Sequence, residues 1–135
     1  MILSLCMLKY QPKPGSIVRC NFDGFIAPEI IKNRPVLVIH LHKTNSKLVT
    51  VIPISTTTPI TIERYHHRLD TSFEIGVQQF LPNTKGWFKC DLIYVVSIER
   101  MDRLKNKKNG EWGIPHISTD TLLKIKEMVR DANGL

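Results

Sequence analysis

The chain has few cysteines and few acidic residues, and it contains no long apolar run. Its three cysteines, Cys6, Cys20 and Cys90, are widely spaced, with no Cys-x-x-Cys pair among them. This excludes a disulfide framework and a zinc motif and favours a reducing cytoplasmic compartment. The apolar run over residues 1–8 is too short to span a bilayer and lacks the basic start of a signal peptide. We therefore expect no membrane association, with residues 1–9 as a poorly ordered leader or edge segment before a single domain over 10–135.

The charge balance is strongly basic for a chain of this length. Nineteen Lys and Arg residues against 12 Asp and Glu residues give a formal net charge of +7. Such a balance favours a polyanionic partner, with nucleic acid first and an acidic protein second. A basic surface that serves only solubility is the remaining alternative.

Short strands and one terminal helix account for most of the chain. Apolar patterns predict strands over residues 17–22, 34–42, 48–54 and 87–96. Ser118 or Thr119 can cap a helix that Asn133-Gly134 ends, and its apolar face holds Leu122, Ile125, Met128 or Val129, and Ala132. Short strands with Gly and Pro turns and one helix predict a small barrel or curled sheet closed by that helix.

Three local patterns make narrower predictions. Pro53, near the end of the third strand, favours a sheet edge or rim because proline cannot donate to a ladder. Residues 87–96 are predicted to form one strand that is buried for most of its length. Residues 100–109 hold five basic residues against one acid, which is typical of a solvated loop.

Polar residues stand at the ends of three predicted strands: Glu29 with Arg34, Ser55 with Thr56, and Lys89 with Asp91. Pro35 opens the strand that follows Arg34 and pushes Arg34 toward extended backbone. A guanidinium fixed at the end of a rigid strand suits phosphate chemistry. The alternative from the residues alone is a rim salt bridge between Glu29 and Arg34.

The order and character of these segments resemble the PemK/MazF family, the ribonuclease toxins of type II toxin–antitoxin modules. The matching segments are Pro14-Gly15-Ser16-Ile17-Val18, Asn21-Phe22-Asp23, Glu29 with Arg34-Pro35-Val36-Leu37-Val38, Ile52-Pro53-Ile54-Ser55-Thr56, and Lys89-Cys90-Asp91. Together they cover roughly residues 10–100, with a compatible helix beyond. None is specific alone, but five in the same order identify the family.

The resemblance implies a fold, an activity and partners. The fold is mainly β, an SH3-like barrel with short helical insertions and a C-terminal α-helix, working as a homodimer. The activity is metal-independent, sequence-specific cleavage of single-stranded RNA, usually mRNA, without a cofactor. Attack of the ribose 2′-OH leaves a 2′,3′-cyclic phosphate and a 5′-OH. A cognate antitoxin with a largely acidic segment would block the site.

The resemblance also implies charged site residues. Asp91 matches the family's aspartate and can act as the base for the 2′ proton or orient one. Arg34 matches an arginine at the scissile phosphate and is the candidate for stabilising the transition state. Lys89 stands where plasmid-encoded toxins of the family carry a catalytic arginine. A lysine keeps the positive charge but lacks the guanidinium group that can hold two phosphate oxygens at once.

A hydroxyl and a second carboxylate complete the implied catalytic set. Ser55 falls at the family's active-site threonine, and Thr56 follows it. Because adjacent strand residues face opposite sides, only one of the two hydroxyls is expected to point into the site. Glu29 matches a glutamate on a mobile loop, where it either helps with the 2′ proton or pairs with Arg34.

Further side chains are candidates for binding RNA: Arg19, Lys32, His66, His67 and Arg68. The two histidines titrate near neutrality, so they are either a general base or RNA contact, or an exposed loop edge. Trp112 can stack on a base or pack locally, and the basic run over 100–108 either extends the RNA track or is a solvated loop.

Two other functions stay open at this stage. Gyrase poisons of the CcdB type share the fold but depend on a C-terminal Trp-Gly-Ile, whereas Trp112-Gly113-Ile114 is internal here. A non-catalytic relative that binds RNA or antitoxin is the second, because Lys89 and Ser55 depart from the family's residue types. Such a protein would bind RNA without producing new ends.

Overall fold

Short antiparallel strands are the main regular structure of the computed structural model, which describes residues 8–27, 33–55, 60–68, 75–81 and 86–135. The main sheet holds β1 (Ile17–Cys20), β2 (Arg34–Leu41), β3 (Leu48–Ser55), β4 (His66–Arg68), β5 (Trp87–Lys89), β6 (Tyr94–Ser97) and β7 (Met101–Asp102). A separate hairpin consists of β8 (Leu104–Lys105) and β9 (Trp112–Gly113). The helices are α1 (Ile75–Gln78) and α2 (Thr119–Ala132), with a 3-10 turn over Ile98–Arg100.

The central strand of the main sheet is β3. The hydrogen-bonded order is β4–β5–β3–β2–β1–β7, and β6 pairs with β3 further along the edge that β5 occupies. Within the described residues no ladder joins β4 to β7, so strand pairing does not close a barrel there. The predicted class, mainly β with short helical insertions and a C-terminal helix, is confirmed.

Apolar side chains on the two faces of this sheet form two separate cores. The helix face carries Leu37, Ile52, Ile54 and Phe88, which pack with Ile125 and Val129 of α2. The valine face carries Val18, Cys20, Val36, Val38, Val51 and Val96, which pack with Phe22 and Met101. Because successive strand residues point to opposite faces, these two sets show which face each neighbouring polar residue occupies.

Helix α2 forms where the sequence predicts it. Ser118 is the N-cap, and its Oγ accepts the backbone N–H of Thr121 at 3.2 Å. Past the helix, Gly134 has a φ of 70°, a left-handed conformation that glycine adopts without strain. Asn133 Nδ2 donates to the carbonyl of Cys90 at 2.9 Å. The end of α2 is thereby tied to the chain segment between β5 and β6.

The predicted edge position of Pro53 is wrong. Pro53 lies on β3, which has β2 on one side and β5 and β6 on the other. The pairs with β5 stop at Ile54, and those with β6 begin again at Val51. Pro53 therefore sits at a break in that ladder, where a missing N–H is tolerated.

The single buried strand predicted over residues 87–96 is also wrong. Ile54 pairs with Phe88, and Val51 pairs with Tyr94. Three residues along β3 therefore correspond to six residues along the segment that runs beside it. The three additional residues form a turn at Cys90-Asp91, closed by the Leu92 N–H donating to the Lys89 carbonyl at 3.1 Å. Beyond the turn Leu92, Ile93 and Val95 are exposed. A pattern of apolar residues does not reveal such an insertion.

The expected solvated loop over 100–109 is wrong in part. Met101–Asp102 forms β7, which pairs with β1, and Leu104–Lys105 forms β8. Met101 and Leu104 are buried, so the two apolar residues of this basic segment anchor it to the cores.

The start of the described chain packs against the valine face. Leu8 is buried there, and its N–H donates to the Met101 carbonyl at 3.2 Å. Residues 1–7, most of the predicted leader, lie outside the described residues. Of the helices that the structure describes, none is long and apolar enough to cross a membrane.

Candidate active site

Sheet register brings Arg34 and Ser55 to one end of the valine face. Arg34 opens β2 and pairs with Cys20. Two residues further, Val36 pairs with Pro53, so continuing the same register puts Arg34 level with Ser55 at the end of β3. Arg34 shares its face with Val36 and Ser55 shares its face with Pro53, because side chains two residues apart lie on the same side. Both side chains are partly exposed.

Three residues of β4 and β5 join the same face. Ile54 and Phe88 pair on the helix face, so Lys89 next to Phe88 points to the valine face. In the β4–β5 ladder His66 pairs with Lys89, and Arg68 pairs with Trp87. Directly opposite residues share a face. Lys89, His66 and Arg68 therefore lie on the face that Arg34 and Ser55 occupy.

Asp91 lies in the turn that follows Lys89. Cys90, between them, donates its N–H to the Tyr65 carbonyl at 3.1 Å, which holds the turn against the start of β4. One carboxylate oxygen of Asp91, Oδ1, is buried and has no hydrogen-bond partner among the described residues. Ser16 Oγ and Trp87 Nε1 are likewise buried without a partner among the described residues, and each such atom calls for an explanation.

The His66 imidazole is held in one orientation by local contacts. Its Nδ1 accepts the backbone N–H of Glu63 at 3.1 Å, and its own backbone N–H donates to the Glu63 carbonyl at 3.0 Å. The Tyr65 ring packs edge-on against it, with centroids 4.6 Å apart. Because Nδ1 is an acceptor, the neutral ring carries its proton on Nε2.

Electrostatics keep the His66 ring neutral. Burial lowers the pKa of His66, and the nearby Lys89 ammonium lowers it further, while Asp91 and Glu63 act in the opposite direction. The burial and the cation prevail, so the imidazole is uncharged at neutral pH. Because the charges of Lys89 and Asp91 both affect this pKa, the two side chains lie near the His66 ring.

The thiol beside these residues is not a reactive group. Burial, and next the charge of Asp91, raises the pKa of Cys90 to about 12. A thiol that stays protonated is a poor nucleophile and a poor metal ligand. Among the residues that the structure describes, no three His, Cys, Asp or Glu side chains come together as a metal site would require.

Two predicted RNA contacts lie elsewhere. Arg19 alternates with Val18 and therefore points to the helix face, where it forms an ion pair with Asp102 at 2.9 Å. His67 pairs with Phe88 on the helix face, and their ring centroids lie 6.0 Å apart. Of the other candidates, Glu29, Lys32 and Thr56 lie outside the described residues.

Sequence reasoning overlooked Tyr65. Its ring packs on His66 and its carbonyl accepts the Cys90 N–H, so it joins β4 to the turn that carries Asp91. Burial, followed by the charges of Asp91 and Glu63, raises the pKa of the Tyr65 hydroxyl. The only local signal was an aromatic residue directly before two histidines, which has no specific meaning without the register.

The comparison with family models identifies one family. The model described as PemK-like, MazF-like toxin of type II toxin–antitoxin system matches residues 13–132. This range contains every described strand and helix.

Two related bacterial sequences are similar over most of their length. The uncharacterised protein YifN of Escherichia coli (strain K12) is 34% identical over 115 residues, covering 73% of this chain and 76% of YifN. An uncharacterised protein of Haemophilus influenzae is 28% identical over 132 residues, covering 90% and 89% of the two chains. Neither carries a described activity.

Solved structures share the fold at low sequence identity. A mycobacterial endoribonuclease in complex with its cognate antitoxin matches with a TM-score of 0.61 and 17% identity, covering 93% of this chain and 97% of that chain. The Mycobacterium tuberculosis toxin MazF-mt6 matches with a TM-score of 0.58 and 19% identity, covering 89% and 97%. At such identities the likeness concerns the fold.

Proposed function

This chain belongs to the PemK-like, MazF-like family of type II toxins, and from that premise we propose that it is an endoribonuclease acting on single-stranded RNA. The observation that carries the proposal is the arrangement at one end of the valine face. Two cations, Arg34 and Lys89, lie on one face with a hydroxyl and a neutral imidazole, and the Asp91 carboxylate follows in the adjoining turn. Attack of a 2′-OH on the adjacent phosphate needs a proton acceptor and hydrogen-bond donors or cations at the phosphate oxygens, and these groups can supply them.

Asp91 is the proposed base. The 2′-OH must lose a proton as its oxygen attacks phosphorus, and a carboxylate can accept that proton directly or orient the group that does. The position of Asp91 supports this role, because its carboxylate follows Lys89 in the adjoining turn and its charge acts on the His66 ring.

Arg34 and Lys89 are the proposed phosphate ligands. As the 2′ oxygen attacks, negative charge grows on the non-bridging oxygens of the phosphorane, and fixed cations stabilise it. The guanidinium of Arg34 can hold two oxygens at once, whereas the ammonium of Lys89 acts as a point charge. Ser55, level with Arg34, supplies a neutral hydroxyl to the same phosphate. Arg34 thus does more of the phosphate work than Lys89.

His66 is proposed as a neutral hydrogen-bond donor. Since Nδ1 accepts the Glu63 N–H, the Nε2–H can donate a hydrogen bond to a phosphate oxygen. The P–O5′ bond breaks as the P–O2′ bond forms, and the departing 5′ oxygen takes its proton from water or from the carboxyl group of Asp91 that has accepted the 2′ proton. In this tautomer the ring cannot take the 2′ proton at Nε2. His66 therefore stabilises charge and leaves the role of base to Asp91.

The partners follow from the family and remain part of the proposal. A cognate antitoxin with an acidic extended segment would cover the cations of the valine face. We also propose a homodimer in the cytoplasm and cleavage that requires no metal ion and no cofactor.

The test is cleavage of a long single-stranded RNA by the purified protein in excess EDTA, followed by mapping of the new ends. We expect fragments with 5′-OH and 2′,3′-cyclic phosphate ends. Asp91→Asn and Arg34→Ala should each lower the cleavage rate by at least about 100-fold, as expected for a base and for a transition-state ligand.

The matched control is Arg130→Ala, which removes an exposed arginine from the last turn of α2. It changes the net charge as Arg34→Ala does and should leave the rate unchanged. Binding of RNA with no new ends by the unmodified protein would make this chain a non-catalytic relative and would overturn the proposal.

A further inference from the structure

The β8–β9 hairpin combines an exposed aromatic ring with a group of lysines. Trp112 on β9 is 44% exposed, whereas Trp87, the other tryptophan of the chain, is buried. Lys105 pairs directly with Trp112 across the hairpin. Lys107 and Lys108 follow in the connecting turn and are exposed. The side chains of Trp112 and Lys105 therefore leave the backbone on the same face of the hairpin.

The hairpin is rigid because a buried asparagine organises it. Asn106 Oδ1 accepts the backbone N–H of Lys108 at 2.8 Å, and its Nδ2 donates to Gln79 Oε1 at 2.9 Å. The Lys107 N–H donates to the Gln79 carbonyl at 2.6 Å, and Gly110 closes the turn with a φ of 77°. The backbone that carries the exposed groups is thus held in place by these hydrogen bonds.

The lysines of this hairpin form no ion pair with an acidic residue among those that the structure describes. The two ion pairs in the described part of the chain use other cations, Arg19 with Asp102 and Lys47 with Glu99. The sequence of the hairpin, residues 104–113, contains one carboxylate, Glu111, and three lysines. The hairpin thus presents an exposed indole together with three lysines that have no ion-pair partner in the described part of the chain.

We infer that the β8–β9 hairpin is a second binding site for single-stranded RNA, separate from the candidate active site. A base can stack on the exposed indole of Trp112 while Lys105, Lys107 and Lys108 contact neighbouring phosphates. An acidic protein segment would use the lysines but would leave the indole without a role, so RNA fits the whole surface better. The inference rests on the proposed RNA substrate and extends it to a surface that the cleavage chemistry does not need.

The test measures binding rather than cleavage, using the Asp91→Asn variant and unlabelled oligouridine. Oligouridine should quench the fluorescence of Trp112. The quench should persist when Trp87→Phe is added to this variant. It should disappear when Trp112→Phe is added instead. Trp112→Ala should raise the Kd about tenfold, the size expected for one stacked base. A quench retained in Trp112→Phe would overturn the inference.

A charge reversal in the turn gives an independent variant that spares the packed residues. Lys107→Glu/Lys108→Glu should weaken binding and reduce the slope of log Kd against log salt by at least about one, since each lost phosphate contact on a single strand contributes about 0.7. Lys124→Glu/Arg130→Glu on α2 is the matched control and should change neither. If the two double variants weaken RNA binding equally, the loss reflects the overall charge of the protein, and the hairpin is not a separate RNA-binding site.

Two further outcomes keep this inference separate from the proposed cleavage. Cleavage in EDTA without any effect of the hairpin variants on RNA binding would leave the nuclease intact and reject the second site. Competition by polyglutamate as effective as that by oligouridine would show that the surface takes an acidic protein instead.

Discussion

His66 of β4 lies directly opposite Lys89 of β5, and its Nδ1 accepts the backbone N–H of Glu63 at 3.1 Å. This pairing places a neutral imidazole, with its proton on Nε2, beside a cation on the valine face. The register of a three-residue strand therefore decides which of two adjacent histidines faces the site, because His67 points to the other side.

We expect His66→Ala to lower kcat for RNA cleavage by about 100-fold, the usual cost of losing one transition-state hydrogen-bond donor. His66→Gln should recover most of that loss, since its amide N–H can replace the Nε2 donor but cannot act as a base. Steady-state kinetics on one mapped site would measure both. Equal loss in the two variants would assign proton transfer to His66.

The fall in stability on acidification should depend on His66. Its pKa is lowered in the folded protein, so the unfolded chain binds a proton more readily. The contribution of His66 is therefore present above the unfolded pKa of about 6.5 and is lost as pH falls below it.

Thermal melts at pH 7.5 and pH 5.5 should show a smaller difference in Tm for His66→Gln than for the unmodified protein. The pKa of His116 is also lowered, by burial and by Lys13. His116→Gln should reduce the same difference without affecting the rate of RNA cleavage. An unchanged pH dependence in His66→Gln would contradict the assigned ring environment.

Lys89 and Arg34 should respond differently to exchange of lysine and arginine. Arg34→Lys should lower kcat/KM by at least about tenfold, because it removes a bidentate contact to phosphate. Lys89→Arg should retain the rate or raise it, since the charge is kept and a fork is gained. A larger loss from Lys89→Arg than from Arg34→Lys would mean that Lys89 holds the main phosphate contact.

The link between α2 and the Asp91 turn should contribute to stability. Asn133→Ala removes two hydrogen bonds that Nδ2 donates, to the Cys90 carbonyl at 2.9 Å and to the Val129 carbonyl at 2.8 Å. We expect the free energy of unfolding to fall by about 1 to 2 kcal/mol, the typical net worth of two such bonds. Urea denaturation measures this, and Asp131→Ala, an exposed helix position, is the control.

The sequence was sufficient for β2, β3 and α2, because long apolar patterns and a capping serine specify these elements locally. It also placed Arg34, Ser55 and Lys89 at strand ends. Their common face depends on register between strands that are distant along the chain, and single-sequence patterns do not contain that register.

The turn at Asp91 and the position of Pro53 were missed for a related reason. The charged residues within 87–96, Lys89 and Asp91, flank Cys90 in the alternation expected of a strand, so the pattern gives no sign of three inserted residues. Only the two separate ladders on β3 show that the neighbouring chain leaves the sheet and returns. The break that tolerates Pro53 is the same feature that presents Asp91.

The central claim is that this protein cleaves RNA by attack of the ribose 2′-OH. Once a cleavage site is mapped, an RNA with a single 2′-deoxy nucleotide on the 5′ side of that phosphate tests it most directly. The account predicts no cleavage at that position in EDTA, while an otherwise identical all-ribose RNA is cut to a 5′-OH end. Cleavage of the 2′-deoxy RNA at the same phosphate, or fragments with 5′-phosphate ends, would contradict it.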